Sequence, residues 1–144
     1  MPLFLDPSLV VEALSGLIPG TVAEVVEFTD AARSNPAKAL PKWPRISVVA
    51  ERTAPVASRG LSDSGSVEET MLLLIQVKTN AVTVADAQAA DAMLAIREAV
   101  YTSLQGVPVA AGWKPSRYSG GQFVGVDADA IYTWGERYVM PRLC

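Results

Sequence analysis

The sequence contains no histidine, and its single cysteine is Cys144. Without histidine the chain lacks the side chain most often used as a general base at neutral pH, and the commonest metal ligand as well. One cysteine rules out a disulfide within the chain and leaves no clustered thiolates for a zinc site of the usual kind, a pattern that fits a reducing cytoplasm. Neither a P-loop nor a dinucleotide fingerprint occurs. Basic residues are scarce too: 12 Lys and Arg against 15 Asp and Glu leave a net charge of −3, with a pI near 4.9. The phosphate-neutralising surface on which duplex binding rests is therefore missing. No uninterrupted apolar run approaches the roughly 20 residues of a membrane helix. The opening MPLFLDPSLVVEALSGL is apolar, but it carries Asp6 and Glu12 and has no basic n-region, which argues against a signal peptide. The expectation is a soluble protein made in the cytoplasm.

What the chain has in quantity is apolar matter. At 144 residues and 50% hydrophobic, with a mean hydropathy of +0.25, it can fill the core of one domain. With 19% charged residues it has little polar surface to cover that core, so some apolar area is expected to be buried between subunits. The longest periodic stretch, Thr83 to Gly106, predicts a central helix. Thr83 and Asp86 form its N-terminal capping pair, and Gly106 is its stop. At 100° per residue Ala89, Ala90, Met93, Ile96, Val100 and Leu104 converge on one face, with Leu94 and Tyr101 at its edge. Asp6 and Pro7 predict the cap and first position of a shorter helix that runs to Leu17.

Strand signals follow at Thr21–Phe28, Arg45–Arg52 and Met71–Lys78. The last is apolar on both faces, as a centrally placed strand would be, and should pair with Arg45–Arg52. Prolines 36, 41 and 44 limit any helix within Asp30–Leu40, and Trp43 reads as an anchor. Phe123–Val126 and Ile131–Val139 predict a terminal hairpin turning at Asp127–Asp129, with Tyr132, Trp134 and Tyr138 on one face. The expected fold is a single α+β domain over residues 1–144, in which a mixed or antiparallel sheet packs against one long helix and a short N-terminal one. Its structural excess is Thr53–Glu69, about seventeen residues against the usual 2 to 5 of a hairpin loop. It reads either as a disordered surface loop or as a docking arm, with Arg52 at its root and Arg59, Asp63, Glu68 and Glu69 as polar handles.

The chemistry-bearing residues give no catalytic set. Gly120 and Gly121 read as a bend or bulge, since no Lys-Ser or Lys-Thr follows to make a phosphate loop. Asp127 and Asp129 suit turn capping better than a hard cation, because the further oxygen ligands of a calcium loop are absent. Arg97 falls within the apolar stripe of the long helix, where it either snorkels over the core rim or makes a subunit salt bridge. Arg52, Arg59, Asp63, Glu68, Glu69 and Arg97 are the candidate interface residues. No catalytic, cofactor or metal residue is expected.

Three stretches carry a resemblance: ALPKWPRISVVAER (39–52), MLLLIQVKT (71–79), and LQGVPVAAGWKPSRYSGGQFV (104–124) leading into AIYTWGERYV (130–139). Together with the element order they are similar to the tail terminator proteins of long-tailed bacteriophages, especially Mu-like phages. The resemblance implies a structural virion protein of the tail and neck, assembled in the host cytoplasm. Six copies would form a ring on the head-proximal end of the tail tube. The ring would stop tube polymerisation once the tape measure protein is covered, and would offer a surface to the head connector. DNA would pass through an acidic lumen without specific binding. Alternatives are another neck ring component, such as a head completion or stopper protein, and a small α+β ligand-binding protein or enzyme relying on carboxylates such as Glu24 or Glu51.

Overall fold

The apolar run Met71–Lys78 lies at the middle of a five-stranded sheet, with a strand paired on either side of it. The computed structural model describes residues 4–18, 20–28, 42–55, 67–79 and 87–142. They form helix α1 (Pro7–Ala13) with a 3-10 turn (Ser15–Leu17), strands β1 (Glu24–Glu27), β2 (Arg45–Pro55) and β3 (Val67–Lys78), helix α2 (Ala87–Leu104), and strands β4 (Arg117–Val126) and β5 (Ile131–Pro141). The strand order is β1-β2-β3-β5-β4. β1 runs parallel to β2 and the other pairs are antiparallel, so the sheet is mixed and the domain is α+β. The connection from Phe28 to Pro44 exceeds the dozen or so residues a parallel crossover needs.

Both helices pack on the same face, α1 against β1 and β2, α2 against β3 and β5. Period-two alternation sends Met71, Leu73, Ile75 and Val77 of β3 to that face, beside Ile46 and Val48 of β2 and Tyr138 and Met140 of β5. Val10 and Leu14 close the layer from α1, and Met93, Ile96 and Val100 from α2. Each such side chain contributes about 1.5–3 kcal/mol when fully buried, so this layer dominates the stability.

The local signals act as their chemistry suggests. Asp6 caps α1 by accepting from the Ser8 amide at 2.9 Å, and that backbone hydrogen bond holds its carboxyl below the usual range. On α2, Ala89, Met93, Ile96, Val100 and Leu104 are buried, whereas Leu94 and Tyr101 are 54% and 47% exposed. Gly106 takes a φ of 75°, and its amide leaves the helix to bond Ser116 O at 2.9 Å. The expected cap residues Thr83 and Asp86, and the proline-limited segment Asp30–Leu40, lie outside the described residues.

Four strands, β2 to β5, are longer than their patterns. β2 and β3 remain paired out to Pro55 and Val67, so strand takes up both ends of the expected Thr53–Glu69 loop. What remains of it, 56–66, lies outside the described residues. The extension is held by Thr53 Oγ1, which donates to Glu69 Oε1 at 2.7 Å. β4 begins at Arg117 instead of Phe123, because Gly120 (φ 110°) and Gly125 (φ 157°) accommodate register shifts within the strand.

Candidate functional site

Glu136 is 2% exposed at the centre of the helix-covered face. It lies opposite Leu73 of β3 and Gly121 of β4. A buried carboxylate needs partners, and Oε1 has three: Arg97 Nε donates at 3.0 Å, the Tyr118 hydroxyl at 3.3 Å, and the Trp134 indole Nε1 makes a further bond. Arg97 reaches down from α2, with its guanidinium carbon 4.1 Å from the Trp134 ring centre, a cation–π stack that fixes the fork. Burial lowers the Arg97 pKa, but the Tyr118 hydrogen bond and Glu136 outweigh it and hold the group above its ordinary value.

Space for this cluster comes from Gly121. A Cβ there would collide with Glu136 Oε1 and stand 2.7 Å from Trp134 Nε1. Edge-to-face rings extend the cluster, Tyr101 to Tyr118 at 5.8 Å and Tyr118 to Tyr138 at 5.4 Å between centroids. The Tyr138 hydroxyl is buried and makes no hydrogen bond among the described residues. Its burial, followed by the nearby Glu136 charge, drives its pKa well above the ordinary phenol value. Between α2 and β4 the cluster opens into a groove of about 480 Å³ lined by Leu94, Arg97, Glu98, Tyr101, Thr102, Tyr118 and Glu136. With its Oε1 engaged by three donors, Glu136 is a structural anchor and not a free base.

The other candidate residues do not join Arg97. Glu68 lies on the opposite face, 3.6 Å from Arg117. Glu69 is buried on the helix side, bonded to Thr53. Arg52 is exposed opposite Thr70 and has no ion-pair partner among the described residues. Arg59 and Asp63 lie outside them. Arg97 itself finds its carboxylate within its own chain. Glu24 and Glu51, the carboxylates considered as substitutes for a histidine base, are each engaged by arginine: Glu24 by Arg45 at 3.2 Å, and Glu51 by Arg137 in a bidentate pair at 2.8 and 3.0 Å. Asp127 accepts the amides of Asp129 and Ile131 at 2.9 and 3.1 Å, which is turn capping. Among the described residues no group of three or more acidic or cysteine side chains could hold a metal ion, and no helix is long and apolar enough to cross a membrane.

Glu136 is the residue that sequence reasoning missed, and with it the part played by Trp134 and Gly121, which read there only as a strand-face aromatic and a bend. The signal for Glu136 is the strand YTWGERY (132–138), in which it shares the alternation of Tyr132, Trp134 and Tyr138. A carboxylate on the aromatic face of a strand must find donors. Compared with known protein families and with curated proteins, the chain has no match.

Proposed function

We propose that this chain is a structural assembly protein of the tail terminator kind, a ring subunit that caps a phage tail tube and joins it to the head connector. The observation that carries the reading is the element order. An N-terminal helix, a long β2–β3 hairpin, one long helix and a closing β4–β5 hairpin build one five-stranded sheet, the order on which the sequence resemblance rests. Exposed apolar side chains at opposite margins support a subunit with neighbours: Phe4 and Phe28 beside α1 and β1, Leu94, Tyr101 and Phe123 beside α2 and β4. Unlike patches on one subunit suit the head-to-tail contacts that close a ring by rotation. A stopper or head completion protein would share these features and differ in binding the portal side.

Light scattering on the purified chain, alone and after addition of tail-tube protein, tests the proposal. A six-subunit mass, or a complex formed only with tubes, is expected. A chain that ignores tubes contradicts the reading. The α2–β4 groove favours one other reading, a small-molecule binder, which predicts that a ligand raises the melting temperature of the chain without tubes.

A further inference from the structure

Among the described residues β1 and β4 each hydrogen-bond to one strand only, so the sheet has an open edge on either side. The two edges stand at matching levels. The row that starts at Val25 runs through Ile46, Ile75 and Trp134 and ends at Phe123, the row from Val26 ends at Gln122, and the row from Glu27 ends at Gly121. Register shifts between Tyr118 and Gly120 and between Phe123 and Gly125 bound a regular stretch of β4, 120–123, which has the four-residue length of β1. β1 is parallel to β2, and three antiparallel pairings then lead to β4, so β4 runs opposite to β1. A second copy set beside β4 in the same orientation therefore presents its β1 antiparallel, the more stable pairing, and level with 120–123.

We infer that β4 of one copy pairs antiparallel with β1 of the next, 121–123 against 25–27, so that the sheet continues from subunit to subunit. The side chains fit this register. Val25 and Phe123 share the helix-covered side, and the contact sets a β-branched residue against an aromatic one that is 54% exposed in the single chain. Val26 meets Gln122 on the other side, and Glu27 meets Gly121, which has no side chain to oppose it. The stretch GGQF (120–123) carries neither charge nor proline, the usual blocks on an exposed edge, and its glycines let a neighbouring backbone approach. β1 does not suit a second β1, because EVVE set antiparallel against itself opposes Glu24 to Glu27 twice. Phe28, 48% exposed, directly follows β1 and comes to the seam with it. The inference rests on the head-to-tail reading of the ring and supplies that contact with a backbone register.

The test is disulfide trapping of the full chain at high concentration, with and without tail-tube protein, in a Cys144→Ser background. Val26→Cys and Gln122→Cys are made as separate variants and together in one chain, and circular dichroism checks that each folds. Directly opposed residues of an antiparallel pair have Cα atoms about 4.5–5.5 Å apart, within reach of a disulfide. Oxidation of the two single variants mixed should give a 26–122 linked dimer, and either variant alone should stay unlinked. Phe123→Ser should weaken the association about tenfold. The double variant should give a ladder of linked chains. If that ladder runs on as open filaments, the strand pairing stands and the ring reading fails. Six-subunit rings without the 26–122 link, or chains linked 26–26 or 122–122, would overturn the pairing and leave the ring reading in place. Absence of any linked product, with or without tubes, would also overturn the pairing.

Discussion

On the face covered by α1 and α2, Glu136 is 2% exposed and collects Arg97, Tyr118 and Trp134 onto one oxygen. On the opposite face Glu51 meets Arg137 in a bidentate pair whose side chains are about one-third exposed. Leu72, half-buried, lies between them in the sheet, since its strand neighbours are Val49 and Arg137. Of the pairs towards the two edges, Glu24–Arg45 at 3.2 Å is the tighter and more buried, and Glu68–Arg117 at 3.6 Å the looser and more exposed. Both faces pair glutamate with arginine, yet the physics differs. Water can replace either partner on the open face, whereas removing one partner under the helices strands the other in a low-dielectric layer. The covered pair therefore holds α2 to the sheet. The open pairs neutralise a sheet surface that no described helix covers.

Substitutions should separate the two faces. The largest effect is expected from Arg97→Ala, which leaves the Glu136 carboxylate buried with two neutral donors and should cost about 3 kcal/mol in urea unfolding. A loss below about 1 kcal/mol would mean that the covered pair behaves as a surface pair. Gly121→Ala should follow at about 2 kcal/mol, because the new methyl displaces the Glu136 carboxylate from its donors. If the loss comes from this collision, Gly121→Ala should cost much less in a Glu136→Gly background than in the parent. On the open face Arg137→Ala should cost only about 1 kcal/mol, and that difference should shrink as salt is added. A salt-independent loss of several kcal/mol would erase the distinction between the faces.

The smallest effect is expected from Tyr138→Phe, which keeps the ring and removes an unpaired hydroxyl. It should leave neutral-pH stability within about 0.5 kcal/mol. Its signature lies at high pH. The folded-state pKa of Tyr138 is raised, so the folded chain keeps a proton that the unfolded chain loses. The contribution is fully present below the unfolded phenol value of about 10 and is lost as pH rises above it. Unfolding followed from pH 9 to 11 should show a shallower alkaline decline in Tyr138→Phe than in the parent.

Most of the scaffold was legible because its signals are local or periodic. Asp6 before Pro7, the Met93–Ile96–Val100 stripe, Gly106 and the Asp127 turn each act through neighbours in sequence. The centrality of β3 followed from its two apolar faces. What escaped depends on neighbours distant in sequence. The parallel pairing of β1 with β2 has no short-range signature. The space that Glu136 needs is provided by Gly121 from another strand, and glycine alone cannot announce which side chain fills its vacancy. Arg97 was noticed as a charge in an apolar stripe, but its partner 39 residues away was visible only as an acid on an aromatic strand face. The ends of β2 and β3 lack a local strand signal because Pro55, Glu68 and Glu69 are weak strand formers individually, and pairing across the hairpin overrides that preference.

The central claim, that the chain caps tail tubes, is tested most directly by the length distribution of tubes assembled from tail-tube protein and tape measure protein, recorded by electron microscopy with and without the purified chain. Tubes of uniform length bearing a ring at one end are predicted when the chain is present. Tubes that lengthen without limit, bare at both ends, would contradict the proposal.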